Sequence, residues 1–249
     1  MMHSRLTGII CIFIISLLTA CSSGHPPRES ALIYLESDNS VIITETPVAD
    51  WNNDPYYVFK PAHTEPTTGF ILYGGASIDP RAYAPAAYAI AAEGHLVVLV
   101  KMPIDTSLLA PERADVIIND LGTINTWAIG GHSMGGIAGC EYAKANLDKI
   151  DAVILWASHP SEANRLDETA LKALSISATN DGIYPENLII ASAEHLPEDT
   201  VWVVIQGGNH YQFGWYLDDH KPIDGDAEIS LEQQTDEIVT ATVAFMDEL

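Results

Sequence analysis

The 249-residue chain is long enough for one α/β domain with a substantial core, and nothing in its composition demands a second domain. It carries 34 Asp and Glu against 11 Lys and Arg, a formal net charge of -23. Such a surface repels phosphate backbones and anionic headgroups, which argues against nucleic acid as a partner and against a purely electrostatic hold on a membrane.

The first residues read as an export signal. His3 and Arg5 precede an apolar run from Ile9 to Leu18, which is too short for a comfortable membrane span and closes on Leu18-Thr19-Ala20-Cys21. That tetrapeptide resembles the bacterial lipobox, whose cysteine becomes the lipid-modified first residue of the mature chain. The expected organisation is a signal peptide over 1–20, a tether over 21–30 rich in Gly, Pro and Ser, and a folded domain over 31–249. The protein is then exported and held by acyl chains on Cys21, at the cell membrane or the outer membrane. Ser22 lacks the aspartate associated with inner-membrane retention. Cys11 leaves with the signal and Cys21 takes lipid, so Cys140 has no cysteine to pair with and reads as a small buried hydrophobe.

Alternation over Ala31 to Leu35 and Val41 to Thr44, around Ser37-Asp38-Asn39-Ser40, predicts an antiparallel hairpin. Tyr56 to Phe59 predicts a further strand. The pattern then changes to short continuous apolar strands, as in a sheet buried on both faces: Phe70 to Tyr73, Leu96 to Val100, Thr126 to Ile129, Ala152 to Trp156, Ala173 to Ala178 and Val201 to Ile205. Helices are expected between them, near 81–93, 111–119, 137–145 and 185–195, with an amphipathic helix from Leu231 to the end. Strands alternating with helices imply an α/β fold with a mostly parallel central sheet, helices on both faces and antiparallel strands at the N-terminus. The interval from Trp156 to Ala173 is too short for a large lid.

One stretch carries the chemistry. Gly131, Ser133 and Gly135 spell G-x-S-x-G between an apolar strand and a small-residue helix, the context a nucleophile elbow requires. A Cβ at 131 or 135 would meet a neighbouring element, and the helix N-terminus aims the Met134 N–H at the site as an oxyanion donor. A serine hydroxyl also needs a base and an orienting carboxylate, supplied in this fold from later strand ends in the order acid, then histidine. Asp181, in Thr179-Asn180-Asp181-Gly182, follows one such strand, and His210, in Gln206-Gly207-Gly208-Asn209-His210, follows the next. The small residues after Tyr73 make the N–H of Ala76 or Gly75 the second oxyanion donor. His159 follows the strand ending at Trp156 and can line the pocket, but as a base it is out of order. No metal-ligand spacing or phosphate-binding glycine loop is present, so neither a metal nor a cofactor is expected.

Together with Asp181 and His210, the motifs Tyr73-Gly74-Gly75-Ala76, Asp79-Pro80-Arg81-Ala82-Tyr83, Val100-Lys101-Met102-Pro103, Gly130 to Gly136 and Gly207 to Gly214 resemble the α/β-hydrolase superfamily. More narrowly, they resemble its bacterial fold-5 branch, relatives of dienelactone hydrolase. The resemblance runs from about Phe70 onward and implies the α/β-hydrolase fold and a serine hydrolase. Dienelactone hydrolases use a cysteine nucleophile where this chain has Ser133, which argues against carrying over their substrate. A carboxylesterase acting on small acyl esters is the leading expectation. The alternatives are an acyltransferase or peptidase with the same triad, or a surface binding protein that keeps the fold without turnover.

Overall fold

The computed structural model describes residues 24–46, 55–217 and 223–249. The expected signal peptide, Cys21 and His220 lie outside the described residues. In chain order the elements are α1 (Glu29–Leu32), β1 (Val41–Glu45), β2 (Tyr56–Pro61), β3 (Thr68–Tyr73), α2 (Ala84–Ala92), β4 (Leu96–Val100), α3 (Arg113–Asp120), β5 (Thr126–His132), α4 (Met134–Ala145), β6 (Ala152–Trp156), β7 (Lys172–Ala178), α5 (Glu186–Ala191), β8 (Val201–Ile205) and α6 (Leu231–Met246).

They form an eight-stranded sheet in the order β1-β2-β4-β3-β5-β6-β7-β8. The first two joints, β1 with β2 and β2 with β4, are antiparallel, and every later joint is parallel. The parallel strands are continuous apolar runs because both faces are covered. Helices α2 and α6 pack one face through Ala87, Ile90, Ile238 and Phe245, while α3 and α4 pack the other through Ala114, Ile117, Ala138 and Ala143. A parallel arrangement also puts the C-terminal ends of β3 to β8 along one edge, where the loops gather.

Between β6 and β7 the chain makes only a short 3-10 turn at Glu162–Asn164, so no large lid stands over that edge. The helix expected near 81–93 is split into a 3-10 turn at Pro80–Tyr83 and α2, and the chain leaves α2 through Gly94 at φ 110. Helix α6 starts in a capping box, with Ser230 accepting from Gln233 N–H and the Gln233 side chain accepting from Ser230 N–H.

Two expectations are corrected. The hairpin over 31–35 and 41–44 does not form: residues 29–35 are helical, and β1 pairs instead with β2, Val41 opposite Pro61. Ala31, Tyr34 and Leu35 reach the core, an i, i+3, i+4 spacing that the apparent alternation of Ala31, Ile33 and Leu35 concealed, and Ile33 is exposed. The described end of the expected tether, residues 24–30, is docked on the domain. His25 N–H donates to the Ser77 carbonyl at 2.6 Å and Arg28 N–H to that of Trp215 at 2.8 Å, and α1 begins at Glu29.

Candidate active site

Ser133 stands between the last residue of β5 and the first of α4, with φ 53 and ψ -122. A non-glycine residue in this region is strained, and the surroundings hold it there. Its carbonyl accepts from the Ser158 hydroxyl at 2.6 Å and from Gly136 N–H at 3.1 Å, and its own N–H donates to the Trp156 carbonyl at 2.9 Å. The flanking glycines are required by close approach: a Cβ at Gly131 or at Gly135 would overlap the Tyr73 carbonyl of β3. Ser133 itself remains partly exposed.

Asp181 and His210 come together from the ends of β7 and β8. The His210 Nδ1–H donates to Asp181 Oδ2 at 2.8 Å, and both residues are 4% exposed. The other carboxylate oxygen accepts the N–H groups of Ile183 at 2.8 Å and Tyr184 at 2.6 Å, so both oxygens of a buried charge are satisfied. The elbow and the base loop are in direct contact, since the rings of His132 and His210 lie 4.5 Å apart between centroids. Among the described residues, no hydrogen bond joins the Ser133 hydroxyl to the His210 ring. Such bonds are often long in a free enzyme and tighten when substrate binds.

The N–H groups of Gly75 and Ala76, the two candidates for the second oxyanion donor, differ in what they meet. Gly75 N–H donates to the Tyr83 hydroxyl at 3.0 Å and is therefore occupied. The N–H groups of Ala76 and of Met134, the latter in the first turn of α4, meet no acceptor among the described residues. The Tyr83 hydroxyl also lies 2.9 Å from His132 Nδ1. Tyr83 thus ties the oxyanion loop to the residue preceding Ser133. A Cβ at Gly75 would press on His132 Nδ1 and Ile78, so glycine is needed for this close fit. His132 is fully buried, stacked on Phe213, and burial pushes its imidazole well below the ordinary histidine range, with the nearby His210 acting in the same direction.

Two other histidines considered from the sequence, His159 and His195, are placed differently. His159 stands edge-on to Tyr184, which in turn stacks on His210 at 5.7 Å, so His159 belongs to the wall beside the pair. His195 precedes β8 and faces Glu162 at 2.9 Å. Cys140 is buried, and burial alone pushes its thiol far up. A cavity of about 750 Å³ borders the base loop, lined among others by Asn209, Tyr211, Tyr216 and Arg28.

Sequence reasoning missed Asp224. One of its oxygens accepts Gly182 N–H at 2.9 Å and the other Tyr211 N–H at 2.8 Å, which are the residues immediately after Asp181 and His210. Asn180 and Asn209 reach the same segment, donating their side-chain amides to the carbonyls of Asp226 and Gly225. The acid loop and the base loop are thereby fastened to one strap. Nothing in the local sequence around Asp224 announces this, because its partners are backbone groups brought near only by the sheet.

Comparisons with known proteins agree with this architecture. No curated protein matches the chain. A solved structure described as a predicted CIB-like hydrolase from Thermoplasma acidophilum superimposes with a TM-score of 0.63 at 18% identity, covering 84% of this chain and 100% of that one. Another, a candidate dienelactone hydrolase from Klebsiella pneumoniae subsp. pneumoniae, gives 0.60 at 14% identity, covering 85% of this chain and 100% of that one. Residues 69–236, which span β3 to the start of α6 and hold the elbow, Asp181 and His210, match the family profile described as the alpha/beta hydrolase family, and the chain belongs to that family.

Proposed function

We propose that the protein is a serine hydrolase, a carboxylesterase acting on small acyl esters, exported and anchored through lipid on Cys21. The observation that carries the catalytic part is the union of a strained, partly exposed Ser133 with a buried His210–Asp181 pair and two unspent N–H groups. In this reading the Ser133 hydroxyl attacks the ester carbonyl as its proton passes to His210 Nε2. The N–H groups of Met134 and Ala76 stabilise the tetrahedral oxyanion. The alcohol leaves with the proton from His210, and an acyl-serine remains. Water then attacks the acyl group, gives its proton to His210, and the carboxylic acid departs as Ser133 recovers its proton. Asp181 holds the imidazole in the tautomer that can accept at Nε2 and offsets its charge when protonated.

A fluorophosphonate probe and an ester panel test this. Labelling at Ser133 and ester turnover are expected, and Ser133→Ala is expected to remove labelling and lower kcat/KM by about a thousandfold or more. Stability should change by less than about 1 kcal/mol, since only a hydroxyl is removed. An unlabelled, folded protein with no turnover on any ester would support the binding-protein alternative and end this assignment.

A further inference from the structure

The first described residues do not leave the domain at an arbitrary place. Gly24 lies against the Ser77 carbonyl, and a Cβ there would stand 3.0 Å from that oxygen and 3.5 Å from Asp105 Oδ2. His25 N–H donates to Ser77, the Asp79 N–H returns a bond to the His25 carbonyl at 3.1 Å, and Leu217 N–H donates to the Pro26 carbonyl at 2.9 Å. The chain is therefore seated among the loops that follow β3, β4 and β8. These leave the same sheet edge as Ser133, and Ser77 adjoins Ala76. Only Ser22 and Ser23 separate Gly24 from Cys21, a path of roughly 10 Å when fully extended.

Around that seat several aliphatic side chains are displayed to solvent. Ile104 is 81% exposed, Leu109 56%, Leu217 50%, and Ile223, whose carbonyl abuts Gly182 beside Asp181, is 69% exposed. Ile104 is also held at φ 46 and ψ 34, a strained conformation for a β-branched residue, while its side chain gains no burial within the domain. Two carboxylates at the seat are ion-paired, Asp105 with Lys101 at 2.8 Å and Asp79 with Arg81 at 2.6 Å. In a chain of net charge -23, these two paired acids stand beside displayed aliphatic side chains.

We infer that the active-site edge lies against the lipid bilayer that carries the chain's own anchor, and that the substrate is an ester presented at the bilayer interface. This rests on the anchor and hydrolase readings above and specifies the substrate class of that site. An anchor reaching about 10 Å from the loop beside Ala76 leaves the body little freedom to turn away. Ile104, Leu109, Leu217 and Ile223 then meet the headgroup region as an apolar rim. The acidic remainder of the surface resists adsorption on anionic lipid, so the favoured orientation is this one.

The test uses the mature acylated chain in phosphatidylcholine liposomes. An environment-sensitive NBD fluorophore is placed at Ile104→Cys or Leu217→Cys, and as a control at Leu147→Cys, which follows α4 at the opposite edge of the sheet. Cys140 is buried and does not compete for label. A blue-shifted emission quenched by lipid-borne nitroxide is expected at 104 and 217 and not at 147. The double variant Ile104→Ser with Leu217→Ser is expected to lose about tenfold in acetate release from 1-oleoyl-2-acetylglycerol dissolved in the bilayer while turnover of soluble p-nitrophenyl acetate stays unchanged. An acylated, fluorophosphonate-labelled chain whose probes at 104 and 217 stay as aqueous as that at 147 overturns this inference and leaves the anchor and the hydrolase standing. Membrane-derived chain with unmodified Cys21 overturns both the anchor and the orientation. Loss of fluorophosphonate labelling at Ser133 overturns the hydrolase reading, and with it the substrate class.

Discussion

His132 occupies the position before the nucleophile, yet its ring is turned inward, fully buried between Tyr83, Phe213 and His210. Its Nε2 makes no hydrogen bond among the described residues, and the nearby His210 backbone offsets only part of the cost of burying a proton on the ring. The consequence is a pH dependence with a definite sign. Unfolded, the imidazole titrates near its ordinary value of about 6.5, whereas in the fold burial holds it well below that. The unfolded chain therefore binds the extra proton first, and the folded state loses stability as pH falls through about 6.5, at ~1.4 kcal/mol per pH unit. Chemical denaturation of wild type and His132→Gln between pH 7 and 5 should show this slope difference. Parallel curves would mean that His132 is protonated equally in both states.

At the scale of elements, the site is an agreement between loops that leave different strands. Tyr83, entering α2, sets the loop after β3 against the turn at Ser133, and Asp224 fastens the ends of β7 and β8 to one another. Removing the Asp224 carboxylate strips acceptors from Gly182, Tyr211 and Gly225 N–H groups and frees the acid and base loops to shift independently. Asp224→Ala is expected to lower kcat about tenfold or more with KM little changed, because geometry at the reacting centre is lost before binding is. Asp224→Asn, which keeps one acceptor oxygen, should fall between. A kcat unchanged in Asp224→Ala would show that the two loops hold their register without the strap. The α6 capping box offers a contrast in which only stability is at stake: Ser230→Ala should cost about 1 kcal/mol and leave turnover alone.

At the scale of the whole molecule, an edge of the sheet displays apolar side chains to solvent. Strand β8, whose apolar run suggests an interior strand, is an edge on which Val201, Trp202 and Val204 are 46%, 42% and 39% exposed. Such an edge combines unpaired backbone groups with displayed apolar side chains, a template for pairing with another chain. The wild type is expected to associate with rising concentration in sedimentation, and Val204→Lys, placing a charge on that strand, to associate less without a change in ester turnover. Equal association in the variant would place the contact elsewhere.

The local sequence determined a good deal by itself. The sharp strand–turn–helix at Ser133 was legible because its geometry is contained in six residues, Gly131 to Gly136, between a strand and a helix whose own patterns are unambiguous. The parallel sheet was legible from its continuous apolar runs, since a strand covered on both faces has no polar side to alternate with. Asp181 and His210 could be placed at strand ends by chain order, and their contact at 2.8 Å followed from the adjacency of β7 and β8. What the tertiary structure alone decided has a common cause: it depends on backbone groups meeting across large sequence separations. Gly75 N–H is unavailable because Tyr83 takes it, Asp224 matters because Gly182 and Tyr211 lie beside it, and residues 24–30 are docked because Ser77, Trp215 and Leu217 offer them partners. None of these bonds leaves a periodicity or a composition to read, so they become visible only once the sheet has brought its loops to one edge.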